Sequence, residues 1–214
     1  MGQTQDETGL AQGPDGLHRC AWCAATPAYR HYHDEEWGYP VADERRLFEK
    51  LCLEGFQAGL SWLTILNKRA AFRAAMADFE APALARFGAA EVRQLLANPA
   101  IVRHRGKIES AINNARQLLV LQREFGSFAH YVWSYAPLAE EGRPARISVA
   151  ALRAMTTSPA SHALSRDLKR RGFSFVGPTT LYAFMQAMGL VNDHAPGCAV
   201  HARVAAARAA FVRP

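Results

Sequence analysis

The chain has 214 residues, half of them hydrophobic and 21% charged, with a formal net charge of +6. These are globular proportions, which exclude wholesale disorder and collagen-like or coiled-coil architecture, and the length suits one compact domain or two small lobes. No apolar run reaches the roughly eighteen residues of a spanning helix, so no membrane partner is expected. Residues 1–17 hold Asp6, Glu7 and Asp15 but no Lys or Arg, and they lack the apolar stretch of a signal peptide. The cytoplasm or nucleoid is therefore the expected location. The remaining chain carries +9. Such a surplus favours a polyanion such as nucleic acid, although excess Arg also accompanies Ala-rich compositions. The cysteines are Cys20, Cys23, Cys52 and Cys198. Without an export signal they read as metal ligands or core thiols, not as a disulfide framework.

In chain order, residues 1–17 are polar, Gly-rich and aperiodic, and are expected to be a disordered tail. Helical spacing then dominates. Leu47, Phe48, Leu51 and Cys52 make one apolar stripe, with Asp43 as its N-cap and Cys52 in the core. Phe72, Met76 and Phe79 continue the pattern, and Val92, Leu95 and Leu96 precede a stop at Asn98-Pro99. Ile108, Ile112, Ala115, Leu118 and Leu119 mark a long helix running to Phe125-Gly126, and residues 136–147 read as the longest loop. Tyr182, Met185 and Met188 mark a further helix closed by Gly189. No window alternates convincingly with period two, so the fold class is all-α.

The densest chemistry lies between Cys20 and Trp37, which holds two Cys, two His, two Tyr, two Trp and three acids. Near the other end, His194 and Cys198 are four positions apart, a spacing that lets both face one ion. Zinc takes four such ligands in a tetrahedron. From the residues alone, Cys20 or Cys23 with His31 or His33 completes the set, and buried thiols with surface histidines are the plain alternative. Arg171-Gly172-Phe173-Ser174-Phe175-Val176-Gly177-Pro178 follows a basic helix and precedes an apolar one. That is the layout of a helix–hairpin–helix, whose backbone N–H groups bind phosphate; a simple helical turn is the commoner object. Arg103-His104-Arg105-Gly106-Lys107 is a second basic group at a helix start, either a phosphate contact or a solvated helix end. Glu54 ends an apolar stripe, and with Trp62, Tyr29 and Tyr32 it supplies aromatic walls and one acceptor. Such a set suits a flat cationic heterocycle; a surface Glu and a core Trp are the alternative.

Together these motifs resemble the DNA-3-methyladenine glycosylase I family. The resemblance rests on Cys-x-Trp (20–22), Tyr-His-Asp-x-Glu-Trp-Gly (32–38) and Leu-Cys-Leu-Glu-Gly-Phe-Gln-Ala-Gly-Leu-Ser-Trp (51–62). It continues through Arg-His-Arg-Gly-Lys-Ile (103–108), Phe-Val-Gly-Pro-Thr (175–179) and Gly-Leu-Val-Asn-Asp-His (189–194), and spans about Cys20 to Cys198. It implies a helix–hairpin–helix DNA glycosylase fold over 18–200, between the tail at 1–17 and an Ala/Arg-rich segment at 201–214. It also implies one structural zinc per chain on Cys20, His33, His194 and Cys198, joining the N- and C-terminal segments. The implied catalytic residue is Glu54, in a base pocket of Tyr29, Tyr32 and Trp62 with Trp22 and Trp37 in support. Val176, Gly177, Thr179, Arg105 and Lys107 are the expected phosphate contacts. The expected partner is double-stranded DNA carrying alkylated bases, the product is free 3-methyladenine, and the protein is expected to act as a monomer. Asp193 is either the electrostatic catalyst or, preferably, the group that orients His194. No Lys follows the hairpin, so strand cleavage is not expected. A non-catalytic zinc module would leave Glu54 and the aromatics idle, and a zinc hydrolase would need an open ligand position.

Overall fold

A computed structural model of the chain describes residues 8–137 and 148–214. Strands β1 (Leu10–Gln12) and β2 (His18–Cys20) pair antiparallel, with Leu10 opposite Cys20. A 3-10 turn (Ala21–Ala25) leads into α1 (Pro27–Glu35), α2 (Glu44–Gln57) and α3 (Trp62–Ala75). Then come α4 (Ala81–Leu84), α5 (Ala89–Ala97), α6 (Arg105–Phe125) and α7 (Phe128–Trp133). The last are α8 (Val149–Ala154), α9 (Pro159–Arg170), α10 (Pro178–Ala187) and α11 (His201–Ala210). No helix among the described residues is long and apolar enough to cross a membrane.

The body is helical, as the spacing predicts. The expected disordered tail is corrected for residues 8–17, which build most of the hairpin; residues 1–7 lie outside the described residues. Arg19 is the reason: it donates to both carboxylate oxygens of Asp34 (2.9 and 2.8 Å) and to both of Asp15 (2.8 and 2.7 Å). Leu10 also packs on a small apolar cluster of Cys20, Ala195, Cys198, Val200 and Val204. Strands of three residues are too short for alternation to show in a sequence. Most of the expected 136–147 loop lies outside the described residues.

Helix ends follow the side chains available to cap them. Asp43 accepts from the Arg46 N–H at 2.8 Å and opens α2, and α5 stops at Ala97, before Asn98-Pro99. The Phe72, Met76, Phe79 stripe is not one helix. All three are buried, but α3 ends at Ala75 and Phe79 sits on a left-handed turn, with Ala77 to Phe79 all at positive φ. The core centres on α2, which packs against α3, α6, α7 and α10. Leu47, Phe48, Leu51, Cys52 and Phe56 are all buried on it, as expected for Cys52. A helix covered on so many sides also buries Glu49, Lys50 and Glu54, and each must then find a partner.

Helices α9 and α10 pack together, with residues 171–177 turning between them. The turn is anchored to α6. Asn114 donates to the Ser174 carbonyl at 3.0 Å and accepts from its N–H at 2.9 Å, and Asn113 donates to the Gly172 carbonyl at 2.7 Å.

Gly189 (φ +76) closes α10 and sends the chain back toward the N-terminal segment. A methyl group there would fall inside the backbone of Tyr39 and Pro40. Gly189→Ala should therefore cost about 3 kcal/mol, from the left-handed backbone and the overlap together. Thermal melting should show a midpoint lowered by roughly 6–12 °C; an unchanged midpoint would contradict this close approach.

Candidate functional site

Helices α1 and α2, the start of α3 and the segment after α10 enclose a cavity of about 630 Å³. All six residues expected to form a pocket line it: Trp22, Tyr29, Tyr32, Trp37, Glu54 and Trp62. The volume is that of a small-molecule site. Trp22, 37% exposed, forms the rim, and its ring centroid lies 4.9 Å from Tyr29 and 5.1 Å from Trp37. Tyr32 and Trp62 lie deeper, 5.4 Å apart, and Tyr29 stacks on Tyr32 at 6.5 Å. Burial pushes the Tyr29 phenol up to about 12 and Tyr32 well above its usual value, so both stay neutral.

Glu54 lies in the last turn of α2 and is 4% exposed. It does not wait unpaired. Lys50, one turn earlier and equally buried, places its ammonium 2.8 Å from Glu54 Oε1. The same ammonium donates to the Tyr32 hydroxyl at 2.7 Å and sits 3.2 Å from the centre of the Trp62 ring. Burial pulls the Lys50 pKa down, and Glu54 opposes that pull. Sequence reasoning missed Lys50, although its i, i+4 spacing to Glu54 was the available signal.

The four expected metal ligands converge. Cys20, His33, His194 and Cys198 are all buried, with ligand atoms within 4.8 Å of one another. His33 Nε2 lies 3.1 Å from His194 Nδ1, and Cys198 Sγ lies 3.5 and 3.6 Å from the two imidazole nitrogens. Cys20 Sγ is 3.9 Å from His194 Nδ1. A tetrahedral zinc site with ordinary bond lengths has edges of about 3.3–3.8 Å, so this group can hold a metal ion. The open choice in the sequence resolves to Cys20 and His33; Cys23 and His31 are outside the group. The hydrogen bond from Cys20 and those from both imidazoles hold the Cys198 thiol well below its usual range, which favours a thiolate ligand.

The partners that aim the imidazoles differ from expectation. His33 Nδ1 meets Asp34 at 2.7 Å, and His194 Nε2 meets the Trp37 carbonyl at 3.0 Å. Asp193 does not orient His194. Its carboxylate accepts from the Tyr182 hydroxyl (2.7 Å) and the Gln186 amide (2.8 Å), both on α10. Asp193 and Gln186 also line the cavity.

Of the expected phosphate contacts, Val176 is buried with its carbonyl accepting from Ser165, and Gly177 and Thr179 stand at the start of α10. That helix has no side-chain cap on its first N–H groups. Arg105 is exposed and pairs with Glu109 at 3.1 Å. Lys107 is a correction: it is buried, and its ammonium donates to the carbonyls of Phe56 (2.9 Å) and Ala58 (2.5 Å). It ties α6 to the end of α2 and is not a surface charge. A larger cavity of about 810 Å³ beside Trp133, Met155 and Pro214 is lined by none of these candidates.

Residues 22–201 match the model of the methyladenine glycosylase family. The chain belongs to that family. It is 45% identical over 183 residues to the DNA-3-methyladenine glycosylase 1 of Escherichia coli K12, covering 85% of this chain and 96% of that protein. A crystal structure of a 3-methyladenine DNA glycosylase I is 49% identical with a TM-score of 0.78, covering 86% of this chain and 99% of that one. The 3-methyladenine DNA glycosylase I of Staphylococcus aureus, solved to explain 3-methyladenine recognition, is 38% identical with a TM-score of 0.77. It is matched over 96% of its length and 86% of this chain. The chain is thus a glycosylase by family, and the aromatic cavity is its candidate active site.

In this glycosylase, Lys107→Met should lower stability by about 1–3 kcal/mol, because the buried Phe56 carbonyl and the Ala58 carbonyl lose their donor. The salt dependence of duplex binding should be unchanged, since that slope counts only cations that contact phosphate. A shallower slope in salt titrations would return Lys107 to the DNA-contacting surface.

Proposed function

We propose that this glycosylase hydrolyses the N-glycosidic bond of 3-methyladenine in alkylated double-stranded DNA and leaves an intact abasic strand. The observation that carries this reading is a buried carboxylate, Glu54, opening with aromatic rings onto one cavity of base-binding size. Alkylation at N3 makes adenine cationic and weakens its bond to the sugar. The enzyme therefore needs to extrude the nucleotide, hold a flat cation against aromatic faces and reject neutral adenine. Tyr29, Tyr32 and Trp62 supply the faces, with Trp22 and Trp37 in support. Glu54 accepts hydrogen bonds from the base and stabilises the positive charge that builds on the sugar. The base leaves as neutral 3-methyladenine with the bonding electron pair. Water adds its oxygen to the sugar carbon and releases a proton to solvent.

Backbone N–H groups at Gly177 and Thr179, at the positive end of α10, serve as the non-specific phosphate contact, with buried Val176 behind them, and Arg105 adds a second. Zinc is the metal that two thiolates and two imidazoles at these separations fit best. Cys20, His33, His194 and Cys198 would hold it and leave no open position, so its contribution is to fasten the chain ends.

Glu54→Gln keeps the shape, removes the charge and turns one acceptor into a donor. Single-turnover release of 3-methyladenine should slow roughly ten- to a hundred-fold, the equivalent of about 1.5–3 kcal/mol at a charge-assisted contact. A wild-type rate would remove Glu54 from the chemistry and shift attention to Asp193. For the metal, Cys198→Ala should lower zinc content and thermal stability together. A variant that keeps full stability and one zinc per chain would sink that assignment.

A further inference from the structure

Lys50 has no part in the reading above, yet it touches three residues that line the cavity. It does not line the cavity itself. It stands in a small adjoining space of about 30 Å³ whose walls include Tyr32, Trp62, Glu36 and Arg69. Tyr32 and Trp62 line both spaces, so they separate the ammonium from the cavity. From behind that wall Lys50 contacts three pocket residues at once: the Tyr32 hydroxyl, Glu54 Oε1 and the face of Trp62. The three contacts are a hydrogen bond, an ion pair and a cation over a ring face.

We propose that Lys50 is a positioning residue for the glycosylase reaction, holding the Glu54 carboxylate turned toward the cavity before the base arrives. The inference rests on the base-pocket reading and deepens it. A carboxylate buried to this degree needs a polar partner, and the Lys50 ammonium at 2.8 Å supplies one. Lys50 takes Oε1, and among the described residues Oε2 makes no hydrogen bond, which leaves it for the base edge. The restraint on Tyr32 and Trp62 fixes the aromatic faces in the same step. An acceptor and its stacking walls set in advance lose less entropy when the transition state forms. Lys50 touches neither substrate nor reacting atoms, so it acts only through these three side chains.

The test is a double-mutant cycle on the full chain, read as single-turnover release of 3-methyladenine from alkylated duplex. Lys50→Met should slow release roughly ten-fold. In the Glu54→Gln background the same change should cost less than about two-fold, because the group it positions has already lost its charge. Lys50→Arg, which restores the cation, should recover part of the rate, and binding to undamaged duplex should stay constant throughout. Intrinsic tryptophan emission should shift in Lys50→Met, since a charge leaves the face of Trp62. Near-ultraviolet dichroism checks that each variant is folded; if Lys50→Met is not, Lys50→Gln enters the same cycle. Equal losses in both backgrounds, or a wild-type rate for the single variant, would overturn the positioning role. A wild-type protein that releases no 3-methyladenine would instead overturn the function on which the inference rests.

Discussion

Two stretches of chain 174 positions apart meet in one buried cluster, where Cys20 and His33 face His194 and Cys198, and the cavity wall hangs from that meeting. The Ala195 N–H donates to Cys20 Sγ at 3.2 Å, and both residues line the cavity. His194 is steered by the carbonyl of Trp37, which is itself an aromatic wall. His33 follows Tyr32 directly on α1, so the rotation of that helix sets a metal-ligand candidate and a pocket residue together. A change in the cluster is therefore felt in the cavity. The N-terminal hairpin joins this construction through Asp15, Arg19 and Asp34, a chain of charge-assisted bonds that ends on His33.

The second constraint is the burial of α2. A helix enclosed on nearly every side normally carries apolar residues alone, yet this one buries Glu49, Lys50 and Glu54. Glu49 is answered by Arg73 from α3, and Lys50 and Glu54 answer one another. Buried pairs of this kind add little net stability, because desolvation offsets attraction. On the function proposed above, their value lies in specificity: they fix a carboxylate where it would tell a cationic base from a neutral one. Lys107 belongs to the same pattern, since a cation satisfying two carbonyls at the end of α2 fixes the turn that leads to Trp62.

Much of this was legible in the residues. The helical body follows from apolar spacing, because a helix repeats every 3.6 residues whatever surrounds it. Asp43 and Asn98-Pro99 mark helix ends by local hydrogen bonding and steric exclusion. The aromatic and acidic set around Glu54 stood out because so many large, costly side chains seldom gather without a shared task. The pair His194 and Cys198 was readable for the same local reason, at four positions apart.

Tertiary packing alone decided the rest. Nothing in the spacing separates Cys20 from Cys23 or His31 from His33; Cys20, at the end of β2, reaches the cluster, and the rotation of α1 buries His33 and leaves His31 exposed. A basic run at 103–107 reads as one surface patch, but the start of α6 turns Lys107 inward while Arg105 faces solvent. Asp193 and His194 are neighbours in sequence yet serve different partners, one on α10 and the other at the Trp37 carbonyl. Residues 8–17 carry too little apolar surface to fold alone, and they order only against Arg19, Asp34 and the Ala195–Val204 surface. Sequence by itself determines what is local, namely period, caps and residue chemistry. Which way a side chain points, and which distant group satisfies it, is settled by the packing of elements that are remote along the chain.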